Sequence, residues 1–200
     1  MAFQKGRYSA RRQSSNGAAG EPQERPFSAD TAKPQPSAEK LEQRARNVLL
    51  HQLARSAKSK HQLRQILEQR EIPPEIAEAI LERFTEVGLI DDKVFAQTIV
   101  SSRRNFRGLS KTAIKRELLT KGVAEADFEA ALDEVSSEDE LETAKELASK
   151  RFGQMAHLEK ATRDRRLAGY LQRKGYSSAI AFAAIRFAEN QELNPSLPLK

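Results

Sequence analysis

Apolar positions recur along this chain at helical spacing, and one short pattern of them is written three times. The stretch LRQILEQREI (Leu63 to Ile72) returns as IKRELLTKGV (Ile114 to Val123) and as LAGYLQRKGY (Leu167 to Tyr176). Each copy pairs two aliphatic residues four apart, adds a basic residue and closes on an apolar one. The anchors are Leu63-Leu67-Arg70-Ile72, Ile114-Leu118-Lys121-Val123 and Leu167-Leu171-Lys174-Tyr176. An i, i+4 pair lies on one face of a helix. The basic residue falls in the last turn, where it suits the helix dipole. Gly122 and Gly175 stand where a left-handed residue ends a helix, while the first copy has Glu71 there. A period of roughly fifty residues marks a structural module repeated in tandem.

Amphipathic helices flank each copy. Leu41, Ala45, Val48, Leu49 and Leu53 predict a first helix, and Ser59 can cap the motif helix after it. Pro73 and Pro74 stop that helix and open the next, striped by Ile76, Ala77, Ile80, Leu81, Phe84 and Val87 up to Gly88. In the second module Val94, Phe95 and Ile99 are expected to pack inward. Gly108 and Ser110 close the loop before its motif helix, and Phe128, Leu132 and Val135 mark its third helix. The third module opens at Ser137, whose spacing to Glu140 fits a capping box. Leu141, Ala144, Leu147 and Ala148 line its first helix up to Phe152-Gly153. Gln154 to Thr162 reads as part loop and part helix extension, and Ile180, Ala183, Ala184, Ile185 and Phe187 line the last helix.

No sustained alternation argues for a strand, so the predicted fold is all-α. Three tandem three-helix, helix-turn-helix-like repeats over 39–89, 90–136 and 137–189 would form an elongated curved rod, on the order of 60 Å long. Residues 1–38, rich in Gly, Ser, Pro, Gln and Arg with few large apolar groups, read as a disordered basic tail. Residues 190–200, with Pro195 and Pro198, read as a flexible C-terminal tail.

Composition narrows the chemistry. Among 200 residues there is no Cys, which excludes a disulfide framework, thiolate catalysis and Cys-ligated metal, and suits a reducing cytoplasm. No apolar run is long enough for a transmembrane helix. The basic N-terminus has no apolar core of a secretory signal. No phosphate-cradling Gly-rich loop, HExxH or nucleophile elbow is present. His51, His61 and His157 are too scattered for a ligand set. The adjacent carboxylates Asp91 and Asp92 invite a metal or acid/base reading. Neighbouring side chains diverge, though, and a helix N-cap with a second charge on the dipole accounts for them better. The expectation is a non-enzymatic protein with no cofactor or metal.

Charge points to binding instead. The formal net charge of +6 favours an acidic partner. Basic residues concentrate in the second and third modules: Arg103, Arg104, Arg107, Lys111, Lys115, Arg116 and Lys121, then Arg163, Arg165, Arg166, Arg173 and Lys174. These are the candidate partner-binding residues. At ~100° per residue, Arg116, Arg165 and Arg173 point away from the apolar stripes of their helices. Acidic residues gather between, in Glu125 to Glu142.

The run GLIDDKVFA (Gly88 to Ala96), followed by Arg103, Gly108, Ile114, Glu117-Leu118 and Lys121-Gly122-Val123, resembles the signature of the RecX family, bacterial regulators of the RecA recombinase. YLQRKGYSSAI (Tyr170 to Ile180) is similar to that family's C-terminal repeat. The likeness covers roughly residues 41 to 188. It departs in the first repeat, where the family has Arg three residues before the capping Ser and Glu-Leu after it. Here Arg55 is four before Ser59, and Gln62 precedes Leu63. The resemblance implies a non-enzymatic protein that lies in the groove of the RecA–DNA filament and contacts neighbouring protomers; a monomer in the cytoplasm is expected. It would suppress ATP hydrolysis and strand exchange in DNA repair and the SOS response. Contact with single- or double-stranded DNA and no membrane association complete the expectation. The alternative is a tandem helix-turn-helix-like DNA-binding protein.

Overall fold

The computed structural model describes residues 37–193, and among these it contains nine α-helices and no strand. The two tails expected over 1–38 and 190–200 lie largely outside that range. The first trio is α1 (Ala38–Arg55), α2 (Lys60–Glu68) and α3 (Pro74–Glu86). The second is α4 (Asp92–Arg107), α5 (Lys111–Thr120) and α6 (Glu125–Asp133). The third is α7 (Ser137–Gly153), α8 (Lys160–Arg173) and α9 (Ser178–Leu193). The helix pairs that pack most extensively all lie within a trio.

Each trio closes over its own core, so the fold is three small hydrophobic centres in succession. Leu63, Leu67 and Ile72 fill the first with Ala45, Leu49, Leu81 and Phe84. Ile114, Leu118 and Val123 fill the second with Phe95, Val100, Phe128 and Leu132. Leu167, Leu171 and Tyr176 fill the third with Ala144, Phe152, Ala184 and Ile185. The aliphatic pair of every copy is fully buried. At about 1.5–3 kcal/mol per large apolar side chain, these pairs hold each middle helix in place.

The middle helices also end alike, in a Schellman motif. The N–H of the last apolar anchor donates five residues back: Ile72 to Leu67 O (3.1 Å), Val123 to Leu118 O (3.1 Å), Tyr176 to Leu171 O (3.1 Å). The preceding residue sits at positive φ in all three: Glu71 at 58°, Gly122 at 70° and Gly175 at 93°. Glu71 therefore adopts the left-handed turn despite its side chain, because the buried pair before it and Ile72 after it dictate the path.

Some sequence expectations shift on contact with the structure. The capping box of α7 is built on Ser136, not Ser137: its Oγ accepts from Asp139 N (3.0 Å), and the Asp139 carboxylate accepts from Ser136 N (3.3 Å). Burial of Ala144, Ala148 and Phe152 at i, i+4 and i+8 sets that register. Val94 is exposed, because Phe95 and Ala96 take the inward positions of α4. Val87 is exposed past the end of α3. The last helix is continuous over Ser178–Leu193, past the Asn190 at which the sequence suggests a tail.

Candidate interaction surface

The face of each middle helix opposite its buried pair is largely open to solvent, except where His61 lies against Gly122 of the next repeat. In α2 it carries His61, Gln65 and Gln69; in α5, Thr112, Arg116 and Thr120; in α8, Arg165, Gly169 and Arg173. Four-residue steps make each set one stripe. Its positive charge grows along the chain, from none fixed in the first repeat to one arginine in the second and two in the third.

The predicted partner-binding residues divide into committed and uncommitted groups. Arg103 in α4 forks onto Glu117 in α5, with Nε–Oε2 at 2.8 Å and Nη2–Oε1 at 2.7 Å, both partners largely shielded. That pair holds the Glu117 carboxyl below its ordinary range and the Arg103 guanidinium above it. Lys121 shares Glu117 at 3.8 Å. Lys111 pairs with Asp133 (2.9 Å), Lys115 with Glu125, and Arg104 reaches Asp139 at 3.9 Å. The acidic stretch from Glu125 to Glu142 thus neutralises much of the basic charge of α4 and α5. Arg163 lies over the Phe152 ring at 4.1 Å, and the Lys174 ammonium donates to Arg107 O. Arg107, Arg116, Arg165, Arg166 and Arg173 are exposed and make no ion pair with a described residue. The outward direction of Arg116, Arg165 and Arg173 holds in the structure.

Two joints fix the repeats to one another, and each follows the same plan. The C-terminal turn of one middle helix abuts the N-terminus of the middle helix before it. At the first joint Ser59, which caps α2 through Gln62 N (3.2 Å), also donates its hydroxyl to Lys121 O at 2.5 Å. At the second, Ser110 caps α5 through Ala113 N (3.2 Å) and donates its own N–H to Lys174 O at 3.0 Å. Both serines are buried.

The first free N–H of each capped helix then receives a carboxylate from the following repeat. Lys60 N–H donates to Asp92 Oδ1 (2.8 Å), and Lys111 N–H donates to Glu140 Oε1 (2.6 Å). A helix N-terminus leaves such donors unpaired and favours negative charge, so this is its natural partner. Burial raises the Asp92 carboxyl above its usual range, against the pull of that hydrogen bond. Asp91 is the N-cap of α4, accepting from Lys93 N (2.9 Å) and Val94 N (3.0 Å). The adjacent carboxylates are therefore split between capping their own helix and clasping the previous repeat.

The glycines belong to the same joints. A Cβ on Gly122 would overlap His61 (Cβ at 2.5 Å), and one on Gly175 would overlap Ser110 Oγ and Ala113 (Cβ at 2.6 Å). Gly108 is similarly closed in by Leu147. The second joint adds Tyr176, whose hydroxyl donates to Gly108 O at 3.2 Å, with burial pushing its ionisation upward. At the corresponding place in the first repeat, Glu71 is exposed. Gln62 completes the capping box at Ser59 by accepting from Ser59 N (3.2 Å), so glutamine serves where a glutamate is usual.

Among the described residues no group of His, Asp or Glu is placed to hold a metal ion, and no helix is long and apolar enough to cross a membrane. Three interlocked helical trios with solvent-facing arginines define an all-α tandem-repeat protein. Family models match it in order: the first three-helix domain of RecX over residues 45–84, the second over 91–132 and the third over 138–185. The chain belongs to the RecX family. It is 43% identical over 160 residues to the regulatory protein RecX of Streptomyces coelicolor, covering 80% of this chain and 85% of that one. To the regulatory protein RecX of Thermobifida fusca it is 42% identical over 148 residues, covering 74% and 80%. The crystal structure of RecX from Lactobacillus salivarius superposes with a TM-score of 0.67 at 21% identity, over 76% of this chain and 99% of that one. A second crystal structure of a regulatory protein RecX gives 0.64 at 27% identity, over 71% of each chain.

Proposed function

We propose that this protein acts in the cytoplasm as a monomeric, non-enzymatic regulator of the RecA recombinase. It lies along the helical groove of the RecA–DNA filament, touches neighbouring protomers, and lowers their ATP hydrolysis and strand exchange during DNA repair and the SOS response. The observation that carries this reading, beside membership of a regulatory family, is the uncommitted arginine face of the middle helices. Arg116, Arg165 and Arg173 occupy one recurring stripe, opposite the buried pairs, with no carboxylate of their own repeat to satisfy them. Successive modules linked by these hydrogen-bonded joints engage successive sites, so individually weak contacts add through effective concentration.

The test is RecA ATP hydrolysis on single-stranded DNA, titrated with the wild-type chain and with Arg116→Glu/Arg165→Glu/Arg173→Glu. The reading expects the wild type to inhibit and the variant to need a far higher concentration, with an unchanged helical circular dichroism spectrum. Equal inhibition by both would remove this face from the contact. Binding of naked duplex DNA that RecA does not improve would favour a helix-turn-helix-like DNA reader instead.

A further inference from the structure

Exposed apolar surface collects where the first repeat meets the second. Between the last turns of α1 and the start of α4 lies an open cleft of about 520 Å³, lined by Leu50, Leu53, Leu89, Val94 and Phe95. Leu50, Leu89 and Val94 are 45%, 50% and 56% exposed, and none packs into the core of either repeat. Leu50 stands beside the buried Leu49 on α1, and Val94 beside the buried Phe95 on α4. The two cores therefore gain nothing from these side chains. Single exposed aliphatic residues are ordinary, but three from separate elements converging on one cleft mark a contact surface.

Charge and size narrow what can sit there. Asp91, at the edge of the cleft, is committed to capping α4. Lys58 donates only to Ser56 Oγ (3.2 Å) and has no ion-pair partner among the described residues. The cleft thus suits an apolar side chain with a carboxylate beside it, and a single free ammonium offers little to a nucleic-acid backbone. A stable protein interface buries ~1,200–2,000 Å² in total, far more than a cleft for a few side chains supplies. Whatever fills it must be held at the same time by another surface. The outward face of α2 carries no fixed charge to match Arg116, Arg165 and Arg173, so the first repeat has no arginine contact of that kind to offer.

We propose that this cleft seats an apolar side chain, flanked by an acidic residue, from a protomer of the filament that the arginine face engages. The inference rests on the filament reading and adds a second kind of contact to it. Charge holds the second and third repeats, and apolar burial anchors the first. With the arginines already engaged, effective concentration lets so small a contact count. A second copy of this chain would arrive without that tether, and the cleft alone is too small to hold it.

The experiment is RecA ATP hydrolysis on single-stranded DNA, titrated with the full chain at low and at moderate salt. Leu50→Ser/Val94→Ser should raise the half-inhibitory concentration about tenfold. The factor should be the same at both salts, because the pair carries no charge. The loss from Arg116→Glu/Arg165→Glu/Arg173→Glu should instead shrink as salt rises, and so should a loss from Lys58→Glu. Ala54→Phe keeps the lining apolar but fills the cleft, so it should inhibit as poorly as the serine pair. Phe182→Ser/Leu193→Ser removes exposed apolar surface from α9 and should change inhibition little. All these positions lie outside the cores, and an unchanged urea midpoint checks that each variant is folded. Full inhibition by the serine pair, by Ala54→Phe or by Lys58→Glu, or an equal loss from the α9 pair, would overturn the cleft and leave the arginine face standing. No inhibition by the wild-type chain would end the filament reading and this contact with it.

Discussion

Gly175→Ala is the substitution that probes how the repeats are joined. Gly175 sits at φ 93°, where an L-residue is strained by roughly 1–2 kcal/mol. The new methyl would also lie 2.6 Å from Ala113 Cβ and 3.1 Å from Ala113 N, on a helix that cannot swing aside as a long side chain could. Overpacking of that kind costs about 1–3 kcal/mol. The whole penalty is therefore about 2–5 kcal/mol, unless the joint opens to relieve it. Gly88→Ala is the internal control: φ is 72°, yet no atom lies within 4 Å of the added Cβ, so only the backbone strain of about 1 kcal/mol applies. Urea unfolding followed at 222 nm gives the two stabilities, and hydrogen exchange locates the damage. The Ser110 amide, bonded to Lys174 O, should lose protection in Gly175→Ala while α1–α3 keep theirs, since repeats are stabilised by their own cores and nearest neighbours. Equal costs for the two variants, or protection lost evenly through all three repeats, would refute the joint as described.

Three further outcomes follow from the same geometry. Glu71→Gly should raise stability by about 1 kcal/mol in urea unfolding, since it relieves an exposed left-handed residue at φ 58°. Asp92→Asn keeps an acceptor for Lys60 N–H and should be close to neutral, whereas Asp92→Ala orphans that donor and should cost about 1–3 kcal/mol by the same assay. Tyr176 is held neutral in the fold by burial, so above pH 10, where the unfolded phenol ionises, the folded state binds the extra proton and stability falls as pH rises. Tyr176→Phe should flatten that alkaline decline in thermal unfolding between pH 9 and 11, at a cost of about 1 kcal/mol near neutrality. An unchanged alkaline slope would place the titration elsewhere.

The pattern of buried pairs made the three trios legible in the sequence, because i, i+4 spacing at a fixed period is a local signal that the cores then obey. Left-handed termini were legible at Gly122 and Gly175 but not at Glu71, where tertiary packing overrides the preference for glycine. The capping serine of α7 was misplaced by one residue, since Ser136 and Ser137 are chemically equivalent and only burial of Ala144 and Ala148 chooses between them. The joints were not legible at all. Ser59 meets Lys121 and Lys60 meets Asp92 across long stretches of chain, and no local pattern marks a carboxylate that clasps another repeat. The candidate surface was readable in part: helical angle placed Arg116, Arg165 and Arg173 outward, but pairing of Arg103 with Glu117 needed the fold.

The most direct test of the account is electron cryo-microscopy of RecA–DNA filaments saturated with this chain. The account predicts continuous added density along the groove, bridging neighbouring protomers, with the arginine stripe of α5 and α8 turned inward. Bare filaments, or density confined to filament ends or to uncoated DNA, would contradict it.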